Sequence, residues 1–541
     1  MKRLQYIKYS LLVLLIEIMA GCTNFDELNT NPTQSMNMDP NLQITTIELF
    51  QTNRTDDWHR FFIYPGGFMN QWTQDYAVVW YGGKGEKNQS YFSVYWDMYY
   101  LYTIKNAVDV EMRTRDIPEY TNINAMARIL KVQNFLRLTD IYGDVPYFDA
   151  GMAYYTGNFK PKYDTQEDIY NDFFKELREA AAELSPDYPK ATADLYYDGN
   201  IDSWKKFANS LRLRIAMRLI KVNPEKAKTE VQSAIDPVGG GVFTSNNDIC
   251  YVKHDNVESG VMPSAGNGIA NILYRTNNTF CFARELIVTM EDLGDPRIRY
   301  YGTSFLNDNV RTDITDEVLA YFANNPQPVT GKEAYWELTV PARTYTYDLQ
   351  GDDWRGPIDL EINGQTVTVS RVEQVLRPSK YITNWASPYI HLSYAEVEFL
   401  LAEAVYRGYI SGDAQEHFKN GLEAAVNQWS LFGVNVPADA ATTYSNRNPL
   451  RTGAELQQIG TQLWILNVLD PLETWSNWRR LGQPNIPKYE NYPASDPDRL
   501  LPRRIEYPMN EQVSNPEEWA KAVQRMGGTD DWLNRVWWDK E

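Results

Sequence analysis

The chain has 541 residues, 43% of them hydrophobic, and a formal net charge of −19. That length and apolar share predict a sizeable core in one large domain or a few ordinary ones. The acidic balance excludes a nucleic-acid binder, which needs a basic surface, and leaves no electrostatic means of holding an anionic membrane.

At the start, Lys2, Arg3 and Lys8 precede a short apolar run, Leu11 to Ala20. This is the pattern of an export signal over residues 1–21, too short to span a bilayer, and Glu17 is its one unusual residue. Without those residues the remaining chain carries −21. Met19-Ala20-Gly21-Cys22 resembles a bacterial lipobox with Met in place of the usual Leu. Cys22 is then either an ordinary residue beside a cleavage site or an acylated anchor. Acyl chains contribute about 0.8 kcal/mol per buried CH₂ and would hold an acidic protein at a membrane. Residues 22–41 are rich in Asn, Asp, Pro and Thr and read as a tether, leaving 42–541 as a single domain.

Helical periodicity dominates the rest of the chain. Residues 123–140 and 165–184 read as helices. In residues 204–219, Trp204, Phe207, Ala208, Leu211 and Ile215 share one helical face, with Asp202 or Ser203 as expected N-cap. From residue 393, two helices flank Gly412-Asp413. Leu401, Ala402, Ala414, Phe418 and Gly421 stand where a tetratricopeptide unit places its large and small packing residues, while Glu398 stands where Trp is usual. Ala402, Ala414 and Gly421 are expected to let the helices approach closely. The predicted class is mostly α: a tetratricopeptide-like helical-repeat scaffold with long irregular loops and a few short β-hairpins. The long insertions fall at about 236–280 and 324–390, with Asn363-Gly364 as a hairpin turn. Residues 484–516 are rich in Pro. Cys250 and Cys281 are either a disulfide or two buried thiols.

The chemistry-bearing motifs are sparse. None of the four histidines, His59, His254, His391 and His417, sits in HExxH. There is no GxSxG elbow, P-loop, CxxC or dinucleotide GxGxxG; Gly82-Gly83-Lys84-Gly85 lacks the spacing of a phosphate loop. The abundant carboxylates leave a glycosidase pair open, but none stands out. Asp348, Asp352 and Asp353 are candidate calcium contacts without EF-hand spacing, so no metal is assigned and the lipid on Cys22 is the only attached group expected.

Aromatic residues carry more information: there are 16 Trp and 37 Tyr. Trp72, Tyr76, Trp80, Tyr81, Tyr91 and Phe92 cluster early among Asp75, Gly, Gln, Asn and Lys. Trp336, Tyr345, Tyr347 and Trp354 cluster in the second insertion. Flat rings beside polar side chains suit the apolar faces and hydroxyl edges of sugars. The competing reading of each ring is core packing or contact with a partner.

Several stretches together resemble one family: RLTDIYGDVPYFDA (137–150), WKKFANSLRLRIAMRL (204–219), HLSYAEVEFLLAEA (391–404), ETWSNWRRLGQPNI (473–486), PRRIEYPMNEQVSNPEEW and GGTDDWLNRVWWD. With the lipobox and the FDELNTNPTQ tether, they resemble the SusD/RagB family of outer-membrane nutrient-binding lipoproteins, in its SusD-like branch. The resemblance implies a non-catalytic protein, lipid-anchored and exposed at the cell surface. It would bind oligosaccharide or polysaccharide and deliver it to a partner TonB-dependent (SusC-like) transporter, the repeat face meeting the barrel. Asp26-Glu27 resemble the surface-export cue of such lipoproteins. The family's ligand regions map here onto Trp72, Asp75, Trp80 and Tyr81 and onto Tyr345, Tyr347 and Trp354. Trp475, Trp478, Arg479, Arg480, Trp537 and Trp538 read as structural. The alternatives are a peptide-binding member of the family, a lipid-anchored glycoside hydrolase and a purely structural repeat protein.

Overall fold

Most of the long helices start where a side-chain oxygen is available to take a free backbone N–H. The computed structural model describes residues 38–54, 61–73, 77–83, 85–257, 266–275, 280–303, 358–362, 364–369, 377–486 and 500–541. Cys22, the tether to residue 37, Asp75, Tyr76, Trp336, Tyr345, Tyr347, Trp354 and the three calcium candidates lie outside them.

The first half holds α1 (Pro40–Phe50), α2 (Gln89–Met98), α3 (Lys105–Thr114), α4 (Thr121–Tyr142), α5 (Gln166–Glu183), α6 (Ile201–Arg218) and α7 (Pro224–Ala234). Then come α8 (Gly268–Arg275), α9 (Arg284–Leu293), α10 (Tyr394–Tyr406), α11 (Ala414–Asn427), α12 (Ala440–Arg447), α13 (Glu455–Leu466), α14 (Pro471–Leu481) and α15 (Pro516–Arg525). Thr165, Asn223, Ser393, Asp413 and Asp470 cap α5, α7, α10, α11 and α14. The cap of α6 is Asn200, whose side chain accepts from Ser203 N. Asp202 and Ser203, the expected caps, fall inside the first turn.

The helices pack as pairs, α4 with α5, α6 with α7, α10 with α11 and α13 with α14. This is the helical-repeat class expected from the periodicity. Gly421 is a point of close approach in the α10–α11 pair: a Cβ there would lie 2.6 Å from the Phe399 ring. Glu398, in the position usually held by Trp, instead meets His417 Nδ1 at 2.7 Å across the same pair. A polar clasp thus replaces an aromatic one, and Glu398 holds the His417 imidazole above its ordinary value.

Between the pairs lies a buried charge cluster. On α6, Arg214 donates to Glu396 at 2.6 and 2.9 Å. One turn later Arg218 donates to Glu473 at 2.7 and 2.8 Å and to Asp140 at 3.2 Å. Arg137 pairs with Asp470, and Arg480 with Glu403. Burial alone would raise the Glu473 carboxyl, but Arg218, Arg214 and Arg137 outweigh it and hold it at about 2. The signature WSNWRR is structural as expected. Trp475 donates to Pro502 O at 3.0 Å, and Arg479 lies 4.0 Å over the Trp475 ring and 4.7 Å over that of Trp538. Trp538 is itself buried and donates to Asp140 at 2.9 Å.

Among the described residues, eight short strands pair two by two, all antiparallel. β1 (Trp72–Thr73) pairs with β3 (Cys281–Phe282), and β2 (Cys250–Val252) with β8 (Tyr389–Leu392). β4 (Gly302–Thr303) pairs with β7 (Arg377–Pro378). β5 (Ile358–Ile362) and β6 (Gln365–Val369) form the hairpin predicted at Asn363-Gly364, with Ile362 opposite Gln365. The first insertion is more regular than its composition suggests, since it contains α8. Cys250 and Cys281 are two buried thiols, not joined in a disulfide. No helix of the described residues is long and apolar enough to cross a membrane.

Candidate functional site

The short strands bring the two aromatic regions of the sequence to a common root. β1 opens the early aromatic segment and pairs with β3. β3 touches β7, and β7 pairs with β4, after which the segment carrying Tyr345, Tyr347 and Trp354 departs. The described structure therefore brings the stems of these segments together.

Of the early candidates, Trp72 is a core residue and not part of an open platform. It is 2% exposed, packs against Phe62, Phe280 and Phe282, and donates its indole N–H to Val468 O at 2.8 Å. A stacking residue needs an open ring face, and the β1–β3 pairing leaves Trp72 none. Trp80 lies within the π-helical turn Val78–Gly83. Tyr81, in the same turn, is half-buried, its ring 5.1 Å from Tyr91 and 6.0 Å from Tyr64. This turn rests on a second π-helical turn, Phe62–Gly66, through glycines: a Cβ on Gly67 would lie 2.9 Å from Gly82 Cα. Backbone meets backbone there, so Tyr81 is mounted on a rigid base. Beneath it, the Tyr64 hydroxyl accepts from Asn88 N at 2.9 Å and donates to Glu86 O at 3.0 Å. Burial pushes that hydroxyl well above its ordinary range.

Beside Tyr91, Lys87 bridges Glu506 and Asp531, and Gln89 takes the other Glu506 oxygen at 2.9 Å. Burial lowers the Lys87 ammonium, but these two carboxylates outweigh it and hold it above its usual value. The acids at this ledge are thus engaged in ion pairs rather than poised as proton donors.

A second aromatic pair was not singled out by the sequence. Tyr274, at the end of α8, is 52% exposed, and its ring stands 5.2 Å from that of half-buried Trp385, edge to face. Asn267 fixes both partners. Its side-chain oxygen caps α8 through Ile269 N at 2.8 Å and Ala270 N at 3.2 Å. Its amide donates to Ser387 O at 3.0 Å, and its backbone N–H to Trp385 O at 2.9 Å. One buried side chain therefore holds the helix and the Trp385 segment in register, which is the preorganisation a stacking site requires. The Trp385 indole N–H is buried and finds no acceptor among the described residues, at a cost of about 1–3 kcal/mol. Nearby, Gly268 N donates to Thr52 O at 2.8 Å, and Arg54 lies 3.7 Å over the Tyr102 ring. The sequence signal for this pair was faint: two single aromatics, 111 positions apart, in loop-like surroundings.

Among the described residues no group of three or more His, Cys, Asp or Glu is gathered as metal ligands. What the arrangement offers is flat rings beside amides, hydroxyls and paired charges, suited to a neutral polyhydroxyl ligand.

Residues 42–508 match the SusD-like family described as starch-binding and associating with the outer membrane. Among solved structures, a chitin-binding protein is 34% identical, with a TM-score of 0.76 over 93% of this chain and 100% of its own. A SusD-like protein from Bacteroidetes AC2a is 28% identical, with a TM-score of 0.80 over 93% and 100% of the two chains. A chitin-binding SusD homologue from Flavobacterium johnsoniae, 22% identical with a TM-score of 0.70 over 93% and 99%, shares the fold. No curated protein matches the chain.

Proposed function

The chain belongs to the SusD-like family, and from that premise we propose that it captures oligosaccharide at the outer membrane and hands it, unhydrolysed, to a partner TonB-dependent transporter. The observation that carries the reading is the Tyr274–Trp385 pair clamped by Asn267. A half-open ring fixed by a buried amide stacks a pyranose face with no further entropy lost in ordering the side chain. Tyr81 and Tyr91 are a second half-buried ring pair available for stacking, and Trp80, Asp75, Tyr345, Tyr347 and Trp354 are carried as further contacts on the family resemblance. The relative of 34% identity is named for chitin binding, which makes β-linked N-acetylglucosamine oligomers the first ligands to test. Acylated Cys22 would supply the membrane attachment that an acidic surface cannot.

The test is calorimetric titration of the purified protein with chito-oligosaccharides and malto-oligosaccharides, with the sugar recovered and sized afterwards. Binding of intact oligosaccharide, weakened about tenfold or more by Trp385→Ala, is expected. Shortened products would establish a hydrolase instead. Binding of peptides and no sugar would move the protein to the peptide-binding alternative. The anchor is tested separately: Cys22→Ala should release the protein from membranes, and a variant that stays membrane-bound overturns that part.

A further inference from the structure

A groove between α9, α11 and α13 has a different chemistry. It has a volume of about 570 Å³, a size that suits a small ligand. Leu293 and Phe418 contribute to its apolar lining, and Arg447, Arg451, Gln457 and Asp292 are among the polar groups around it.

Its two arginines are exposed and, among the described residues, unpaired. The comparable groove between α3, α4 and α5, of about 510 Å³, also contains two arginines. There Arg115 pairs with Glu111, and Arg128 with Glu176, Glu179 and Glu183. Arg447 and Arg451 make no ion pair with any described carboxylate, although the chain carries a net −19. Asp292 lines the same groove but lies beyond ion-pair distance of both. Asp295, next to Gly294, is taken by Arg297, which donates to it at 2.9 and 2.5 Å. The other polar groups are used up locally: Asn448 donates to Leu293 O at 3.0 Å, and Gln458 to Pro449 O at 3.0 Å.

Arg447 also rests on a glycine. Gly294 ends α9 in the left-handed region, with φ 63°, and the Arg447 guanidinium lies directly against it. A Cβ at residue 294 would overlap that guanidinium. The left-handed backbone favours glycine there, and its missing side chain lets the guanidinium rest against the helix end. The result is an exposed planar donor fork at the groove wall, with no ion pair to a described carboxylate.

We infer that this groove binds the carboxylate of an acidic oligosaccharide, such as one built from uronic acids. Two guanidiniums offer the bidentate geometry that carboxylates match. Gln457 and Asp292 are placed for sugar hydroxyls, one as donor and one as acceptor. The site is separate from the Tyr274–Trp385 pair, so it would serve a charged ligand or a charged branch that the aromatic pair cannot select.

The test is titration of the purified full-length protein with tri-galacturonate, and with chitotriose as the neutral comparison. Binding of tri-galacturonate that weakens as NaCl rises is expected. Arg447→Ala/Arg451→Ala should weaken it tenfold or more, Arg451→Gln alone about threefold to tenfold, and Arg115→Ala in the other groove not at all. Chitotriose binding should be unchanged in all three variants. No tri-galacturonate binding by the wild type, or equal binding by the folded double variant, overturns the inference. So does displacement by inorganic sulfate at the same charge concentration, which would mean a generic anion patch. If chitotriose fails while tri-galacturonate binds at this groove, the aromatic-site proposal falls and this one stands.

Discussion

The charge cluster around Arg218 and the aromatic pair at Tyr274 treat their polar and flat groups in opposite ways. In the cluster every guanidinium is buried against a carboxylate: Arg218 with Glu473 and Asp140, Arg214 with Glu396, Arg480 with Glu403. At the pair, a ring stays half open and an indole N–H stays without acceptor among the described residues, although Asn267 holds the frame rigid. Buried ion pairs report on folding; a half-open ring on a rigid frame reports on binding. The difference separates residues whose loss unfolds the protein from those whose loss silences it.

The largest effect expected from disturbing this contrast is on the cluster side. Arg218→Ala takes from buried Glu473 and Asp140 their closest counter-charge, leaving Glu473 with Arg214 at 3.7 Å, and should cost about 3–5 kcal/mol in chemical denaturation, while the folded fraction binds sugar as the wild type does. A loss below about 1 kcal/mol would mean the cluster is not a structural knot. The same cluster sets an acid limit. Glu473 sits at about 2 in the folded protein, below its ordinary 4.5. Its contribution is therefore present above the ordinary value and is lost as pH falls from there toward 2. Glu473→Gln should flatten that part of the stability–pH curve, and an unchanged acid limb would assign it to other carboxylates.

Next in size is the close approach inside the α10–α11 pair. Gly421→Ala drives a Cβ into the Phe399 ring and should cost about 1–3 kcal/mol, read as a lowered denaturation midpoint. A neutral result would show that Phe399 turns aside freely. On the binding side, Asn267→Ala is the most selective change, because it spares both rings and removes only their clamp. It should weaken chito-oligosaccharide binding about tenfold even in molecules that remain folded, and full affinity would show that the rings need no clamp. The smallest effect belongs to the half-buried His417–Glu398 clasp. His417 is raised above 6.5 by its hydrogen bond to Glu398. Its stabilisation is complete below that value and fades as pH rises through the raised one. Melting curves of wild type and Glu398→Gln should therefore diverge at pH 5.5 and converge, within about 0.5 kcal/mol, at pH 8.5.

The fold was largely readable because helical periodicity is a local signal. Trp204, Phe207 and Leu211 declare their face within three turns, and Gly421 announces a close approach before its partner Phe399 is known. The errors were local as well: Asn200 took the cap expected of Asp202 or Ser203, since the helix starts two to three residues earlier and the free N–H there is that of Ser203. The site was much less readable. Trp72 looked like a platform residue because composition cannot tell an open ring from a buried one, and strand pairing with Phe282 decided the matter. Tyr274 and Trp385 gave no warning, because an aromatic in a loop acquires meaning only from the neighbour it meets.

Order and spacing along the chain were enough for the helical repeats, the close-packed α10–α11 pair, the hairpin at Asn363-Gly364 and the family. Which arginines are paired and which are free emerged only from the packing of distant segments. Arg218 and Arg447 are the same residue type near the end of a helix. One is enclosed by carboxylates from α4 and α14, and the other lies exposed on a glycine with no ion pair to a described carboxylate. A charge is matched by whatever remote segment packs against it, and that segment is fixed by the fold rather than by its neighbours in the chain.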